Sequence, residues 1–303
     1  MKKFLHLLLH PNMLLAAILG RLGNGLSDKF YLSLRYWLIF GKRLNLKNPQ
    51  GFNEKLNWLK IYYRNPIIPK LVDKVEVKSI VASIIGEEHI IPTLGVWDSF
   101  DDIDFDKLPS QFVLKSTNGG GGTGVIVCRE KSKFDKVVAK EKLQKSMRTN
   151  FKIQREWVYY DLKPRIIAEQ YMQNGTDKEL VDWKFMCFNG EPKLLFYASD
   201  RYTKGENLKF DWFDINLNHL PFKSKGYENA CPKIEMFPEY DEMVNIARKL
   251  SHDLPHVRVD LYLINNKVYF GEMTFFHDGG AVSLKPEEWE TKIGEMIVLP
   301  QIN

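Results

Sequence analysis

Cysteine is scarce in this chain: Cys128, Cys187 and Cys231 are the only three in 303 residues. Three is an odd number and none stands at metal-ligand spacing, which argues against a disulfide framework or a zinc motif. Cys128 and Cys187 lie inside apolar, strand-like runs and read as small buried thiols in a reducing compartment. Repeats and low-complexity tracts are also missing, so the 44% hydrophobic and 27% charged residues describe an ordinary globular protein, long enough for two domains or one domain with lobes. No Ser–His or Cys–His constellation suggests a covalent nucleophile. A broad basic surface is lacking too. Residues 1–43 hold Lys2, Lys3, Arg21, Lys29, Arg35, Lys42 and Arg43 against Asp28 alone, while the whole chain carries only +5, so everything after residue 43 is left at −1. That balance speaks against a nucleic-acid partner.

The basic N-terminal arm is apolar as well. Phe4 to Gly20 contains no formal charge but is slightly short for a membrane span, and the Arg21-Leu22-Gly23-Asn24 that follows is no signal-peptide cleavage site. Phe30–Phe40 is a second apolar, aromatic block. Blocks of this kind edged by Lys and Arg suit helices lying in the face of an anionic membrane. A pair of core helices or a partner-docking surface fits the same pattern. The expectation is a cytoplasmic protein peripheral to the inner face of the membrane.

Beyond the arm, Phe52–Tyr63 has helical spacing with Asn53 as its cap, and Leu71–Ile85 reads as one amphipathic helix. His89–Trp97 is strand-like, and the acidic Asp98–Leu108 reads as a short helix or loop. Lys131–Tyr160 is charged and helical in character, Arg165–Met172 is strand-like, and Phe237–Leu254 is an amphipathic helix. Val181–Tyr202 and His256–Phe275 read as hairpins turning at Asn189-Gly190 and Asn265-Asn266. Hairpins mixed with helices indicate α+β, not a doubly wound sheet.

Two segments carry chemistry. FVLKSTNGGGGTGVIV (Phe112–Val127) places four glycines between two strand-like runs. It is not a P-loop, which has a lysine and a hydroxyl after its glycines. A strand, a flexible flap and a returning strand can instead close backbone N–H groups over a phosphate, with Lys115 as a fixed charge beside them. A mobile surface hairpin is the plainer alternative. In the last hairpin, alternation puts Arg258 and Asp260 on one face. The turn at Asn265-Asn266 sets Glu272 roughly opposite Asp260, offset by about one residue, with Thr274 on the same face. Two carboxylates and a hydroxyl suit Mg²⁺, although ion pairs to Arg258 would explain them equally.

Taken in order, Lys115, the glycine flap, Glu169-Gln170-Tyr171-Met172, Asp182-Trp183-Lys184, Arg258-Val259-Asp260 and Gly271-Glu272-Met273-Thr274 resemble the ATP-grasp superfamily. The closer resemblance is to its TupA-like branch, tied to teichuronopeptide and surface-polysaccharide synthesis. It covers roughly residues 52–286, with Asn53–Pro66, Leu71–Lys78, Ile85–Asp98, Asp182–Lys193 and His256–Phe275 as its more particular marks.

The resemblance implies an ATP-grasp fold of two α+β subdomains clasping ATP. Its parts would be an arm at 1–48, a preceding region at 49–110, a small subdomain with the flap at 111–172 and a large subdomain with the metal site at 173–303. It implies that Lys74 and Lys115 contact the ATP phosphates and that Gly119, Gly120, Gly121 and Gly122 form the flap. Glu169 to Met172 would be the hinge beside adenine, with backbone groups of Gln170 and Met172 pairing with the base. Asp182 would bind the ribose, with Lys184 nearer the phosphates. Asp260 and Glu272, with Thr274 where the superfamily usually has asparagine, would hold Mg²⁺. Arg258 or Arg201 would steady a phosphorylated intermediate. The implied reaction is ATP-dependent carboxylate–amine ligation, joining an amino acid or other amine to a carboxylate of a surface polysaccharide or its sugar precursor.

Two other activities fit parts of the sequence. Asp102-Ile103-Asp104 has the form that holds a metal and a nucleotide sugar in glycosyltransferases, though it also reads as a solvated acidic turn. An ATP-dependent kinase on the same fold is the other. His256 and His277 are candidate acid–base groups, or simply packed side chains.

Overall fold

The structure is a computed structural model that describes residues 11–119, 122–175, 180–199, 208–224 and 226–301. Most of the Phe4–Gly20 block's first half, Gly120, Gly121 and Arg201 therefore lie outside the described residues. The chain begins with α1 (Pro11–Leu22), α2 (Asp28–Phe40), α3 (Phe52–Tyr62), α4 (Ile68–Val72) and α5 (Glu76–Ile85), then β1 (Thr93–Trp97), β2 (Phe112–Ser116) and β3 (Val125–Cys128). After α6 (Lys136–Met147) come β4 (Ile166–Gln170), β5 (Asp182–Phe188), β6 (Glu191–Ser199), β7 (Lys209–Asp214) and β8 (Lys223–Ser224). α7 (Tyr240–Ser251), β9 (His256–Ile264), β10 (Lys267–Thr274), β11 (Leu284–Lys285) and α8 (Glu288–Glu295) complete it.

Two larger antiparallel sheets, with a two-stranded ladder of β11 and β8 besides, organise these elements into an α+β fold. One has the order β1-β4-β2-β3 and the other β10-β9-β5-β6-β7. Each has its own core. Phe112, Leu114, Ile166 and Ala168 of the smaller sheet pack with Ala139 and Leu143 of α6. Phe185, Cys187, Leu195, Val257 and Val259 of the larger sheet pack with Met243, Ala247 and Leu250 of α7. Cys128 and Cys187 are buried as small apolar groups, whereas Cys231 is exposed.

Both hairpins turn where local chemistry dictates. Asn189 and Gly190 have φ of 51° and 83°, and Asn265 and Asn266 have φ of 50° and 60°, the left-handed pair that matches the strands' twist. Elsewhere tertiary contacts override local pattern. Leu71–Ile85 is two helices, not one. Asp73 is extended between them, and its Oδ1 accepts from the backbone N–H of Val75 (2.8 Å) and Glu76 (3.0 Å), the competition with helix expected of a short carboxylate. Lys131–Tyr160 forms α6 with separate 3₁₀ turns at Lys131–Lys133, Phe151–Ile153 and Trp157–Tyr159. Asn53 does not cap α3. Its buried amide instead clasps Val282, donating to the carbonyl at 2.6 Å and accepting from the N–H at 2.8 Å.

The arm packs on the body in part. Tyr31 of α2 is buried, donates its hydroxyl to Ile153 O at 2.8 Å and lies under the Arg155 guanidinium. Among the described residues no helix is long and apolar enough to cross a membrane.

Candidate functional site

Charged side chains from both sheets meet in the cleft between them. β2 and β4 pair antiparallel and project Lys115 and Glu169. Lys115 Nζ and Lys78 Nζ, the latter from the first turn of α5, each lie 2.5 Å from a different Glu169 oxygen. Lys78 also donates to Ile91 O at 2.7 Å. Burial disfavours ionised Glu169, but the two lysines more than offset it and hold the carboxyl at about 2. For Lys115, burial works against the charge, yet Glu169, and more distantly Glu272 and Asp182, raise its pKa. Lys78 is lowered, because its desolvation outweighs Glu169.

On the facing sheet, β5 and β9 pair so that Lys184 stands beside Asp260. Lys184 Nζ lies 2.5 Å from Asp260 Oδ2 and 3.0 Å from Asp182 Oδ2. Arg258 grips Asp260 with both arms, Nε to Oδ1 at 2.6 Å and Nη2 to Oδ2 at 2.8 Å, and reaches Glu272 Oε1 at 3.1 Å. Burial opposes ionisation of Asp260, but Arg258 and Lys184 prevail and depress its pKa. Asp182 also hydrogen-bonds the Tyr262 side chain.

Glu272 and Asp260 are opposite each other because β10 bulges. Pairing runs in step from Ile264 and Lys267 to Leu261 and Phe270, then skips Gly271 so that Glu272 meets Asp260 and Thr274 meets Arg258. The one-residue offset expected from the turn is absorbed at Gly271. A Cβ there would lie 2.9 Å from Asp260 O, a separation that side chains do not tolerate.

Lys74 joins the halves. Its Nζ donates to Gly119 O at 2.5 Å and lies 3.6 Å from Glu272 Oε2. Gly119 and Gly124 bracket the flap for a packing reason. A Cβ on either would meet the hydroxyls of Ser116 and Ser146, which hydrogen-bond each other at 2.7 Å. Gly122 adopts φ of 75°. The close approach that glycine permits at 119 and 124 is thus made by the protein's own side chains.

The structure brings Lys74, Lys115, Glu169, Asp182, Lys184, Arg258, Asp260, Glu272 and, by register, Thr274 into one region. Of the residues expected to form the hinge, Glu169 is inside this cluster and the next three follow it along the chain. Gln170 ends β4 and its N–H is already donated to Pro92 O at 3.0 Å, so that group is not free to pair with a base. Tyr171 and Met172 follow, half-buried. Glu169 is a bridge between two lysines. Lys78 went unnoticed in the sequence, where it looks like one more solvated charge on an amphipathic helix.

The histidines are packed groups. His256 is buried against Phe52 and Phe188, its Nδ1 is 2.9 Å from Cys187 O, and burial holds it down at about 3. His277 Nδ1 lies 3.3 Å from Arg258 Nη1. Arginine can only donate, so this nitrogen accepts and Nε2 carries the proton. Burial lowers His277 to about 4. The Asp102–Asp104 segment is a pair of 3₁₀ turns in which Asp104 caps Asp106 N–H at 3.1 Å and pairs with Lys107 at 3.1 Å, as a solvated acidic turn does.

Two antiparallel sheets whose charged side chains meet in the cleft between them, with acids paired across β9 and β10 of the larger, have the arrangement of an ATP-grasp protein. The chain belongs to the TupA-like ATP-grasp family, whose model matches residues 54–298. No curated protein sequence matches it. Among solved structures it is similar to the D-alanine–D-alanine ligase of Helicobacter pylori, at 16% identity over 76% of this chain and 59% of that one, with a TM-score of 0.43. The corresponding Bacillus anthracis enzyme is 14% identical over 75% of this chain and 59% of that one, with a TM-score of 0.37. The chain thus spans about three-fifths of either enzyme's length.

Proposed function

We propose that the protein is an ATP- and Mg²⁺-dependent carboxylate–amine ligase. Its substrates would be an amino acid or other amine and a uronic-acid-type carboxylate of a cell-surface polysaccharide or its precursor. The observation that carries this reading is the convergence of Lys74, Lys78, Lys115, Lys184 and Arg258 on Glu169, Asp182, Asp260 and Glu272. Five cations against four carboxylates leave one positive charge in excess, which favours a polyanion. Residues 111–172 and 173–303 would be the small and large subdomains.

The acids are of the kind that takes a divalent ion: two hard-oxygen carboxylates are set opposite each other by the Gly271 bulge, with Glu272 31% exposed, while Asp260 is engaged at both oxygens by Arg258 and Lys184 and would have to exchange one of these contacts for the ion. Asp260 and Glu272, with Thr274 beside them, would hold Mg²⁺, which supplies charge neutralisation on the phosphates. Lys115, Lys74 and Lys78 would bind and orient the phosphates under the flap. Glu169 keeps the lysine pair charged and fixed. Asp182 would take the ribose hydroxyls. The substrate carboxylate attacks the γ-phosphoryl group, ADP leaves, and the amine displaces phosphate from the acyl phosphate. Arg258, held by Asp260 and His277, would carry the charge of that intermediate. Positioning and electrostatics supply the catalysis.

Incubation with Mg²⁺-ATP, candidate uronic acids and hydroxylamine tests it, since an acyl phosphate is trapped as a hydroxamate with release of ADP. A stable phosphoester would indicate a kinase instead. Mass spectrometry of the native polysaccharide with and without the protein would find the amide substituent.

The same reading places the enzyme at an anionic membrane surface. Leu15, Ile18 and Leu22 form one exposed stripe on α1, and Phe30 and Trp37 another on α2, with Arg21 and Lys29 beside them. Co-sedimentation with anionic but not zwitterionic vesicles, lost on Leu22→Glu and Trp37→Glu substitution, is the expected result.

A further inference from the structure

We propose that Asp211, His219 and Cys231 form a structural site for a thiophilic divalent transition metal, with Zn²⁺ as the ion that best suits the donors. Nothing in the ligase reading uses these residues. Asp211 lies on β7, the edge strand of the larger sheet, and is fully buried. His219 sits on the return of the chain, where it bridges to Phe213 of the same strand. Cys231 belongs to the irregular run that leads to α7. A carboxylate oxygen, an imidazole nitrogen and the thiol sulfur from these three places lie within 4.8 Å of one another.

The cluster is built, not incidental. Asp211 Oδ1 lies 2.8 Å from His219 Nε2 and accepts from Cys231 N–H at 2.9 Å, while Oδ2 accepts from Ala230 N–H at 3.0 Å. The carboxylate thus fixes both partner segments. Asn229 adjoins the cluster: its Nδ2 lies 3.4 Å from His219 Nε2 and donates to Phe222 O at 3.0 Å, while its Oδ1 is buried with no hydrogen-bond partner.

The donor set is that of zinc: one thiolate, one imidazole and one carboxylate. With metal–ligand bonds of about 2.0–2.3 Å, tetrahedral donors stand roughly 3.3–3.8 Å apart. The Asp211–His219 pair would open by about half an ångström, and the exposed Cys231 side chain is free to rotate its sulfur into range. Binding would release the thiol proton of Cys231 to solvent and shift the His219 ring proton from Nε2 to Nδ1, so affinity rises with pH. The consequence is mechanical: the ion ties residues 229–231 to the sheet edge and stabilises the folded chain by mass action. The spacing of these ligands matches no zinc motif, which is why the sequence shows nothing there.

The test uses the full chain stripped with a chelator and titrated with Co²⁺, which reports a sulfur ligand through thiolate-to-cobalt charge-transfer absorption. One equivalent should produce that band in the wild type and in Cys128→Ala, and Zn²⁺ should bleach it and raise the Tm. Cys231→Ser should abolish the band, and His219→Ala should weaken binding by about tenfold or more. Cys231 is exposed, so its variant should fold, as an unchanged circular dichroism spectrum would verify. The acids at Asp260 and Glu272 carry no sulfur and cannot give the band. A wild type that shows no charge-transfer band, or a band that survives Cys231→Ser, would overturn the proposal.

Discussion

Asp260 and Glu272 face each other across β9 and β10 because the paired stretch of β10 carries one residue more than that of β9, and that residue is Gly271. The bulge turns two acids that simple pairing would set out of step into a pair sharing the Arg258 guanidinium. Gly271→Ala would force its Cβ to 2.9 Å from Asp260 O. The expected cost is about 1–3 kcal/mol in chemical denaturation, with a weaker dependence of ATP binding on Mg²⁺.

Glu169 bridges two lysines with almost no solvent. Replacing it by Gln leaves Lys78 and Lys115 without a counter-charge, a change expected to cost about 3–5 kcal/mol. Its folded pKa of about 2 is below the usual 4.5, so ionised Glu169 stabilises the fold above pH 4.5 and that stability is lost as pH falls toward 2. Acid titration of stability should show a steeper loss between these limits for wild type than for Glu169→Gln.

His256 and His277 are held neutral at about 3 and 4, below the usual 6.5. The unfolded chain therefore gains protons first as pH drops, and stability should decline from pH 6.5 downward, before the carboxylates titrate. His277→Gln should reduce this slope. It should also lower kcat more than it raises the KM for ATP, since Arg258 loses an acceptor that fixes its guanidinium.

Asp102→Asn with Asp104→Asn should leave both ATP binding and ligation unchanged, because Asp104 serves a local turn and Asp102 lies exposed beside it. Loss of nucleotide-sugar turnover in that variant, with ATP binding intact, would instead support glycosyl transfer.

What could be read in advance was local or periodic. The turns at Asn189-Gly190 and Asn265-Asn266 announce themselves because few residues accept positive φ. Alternation put Arg258 and Asp260 on one face, and the order of charged motifs led to the ATP-grasp resemblance. What escaped depends on contacts distant in sequence. Lys78 becomes a site residue only when α5 reaches β4 and Glu169, 91 positions further on. Asn53 looks like a helix cap until residue 282 arrives beside it. Asp73 breaks a helix that hydrophobic spacing alone would continue. Gly119 looks reserved for a ligand, yet the Ser116–Ser146 pair already occupies the space beside it.

Calorimetric titration of ATP into the wild type, Lys115→Ala and Glu272→Ala, with and without Mg²⁺, tests the nucleotide cleft most directly. The expected result is saturable binding by the wild type, affinity reduced about tenfold or more in Lys115→Ala, and loss of the Mg²⁺ enhancement in Glu272→Ala. No binding by the wild type, or three indistinguishable isotherms, would contradict it.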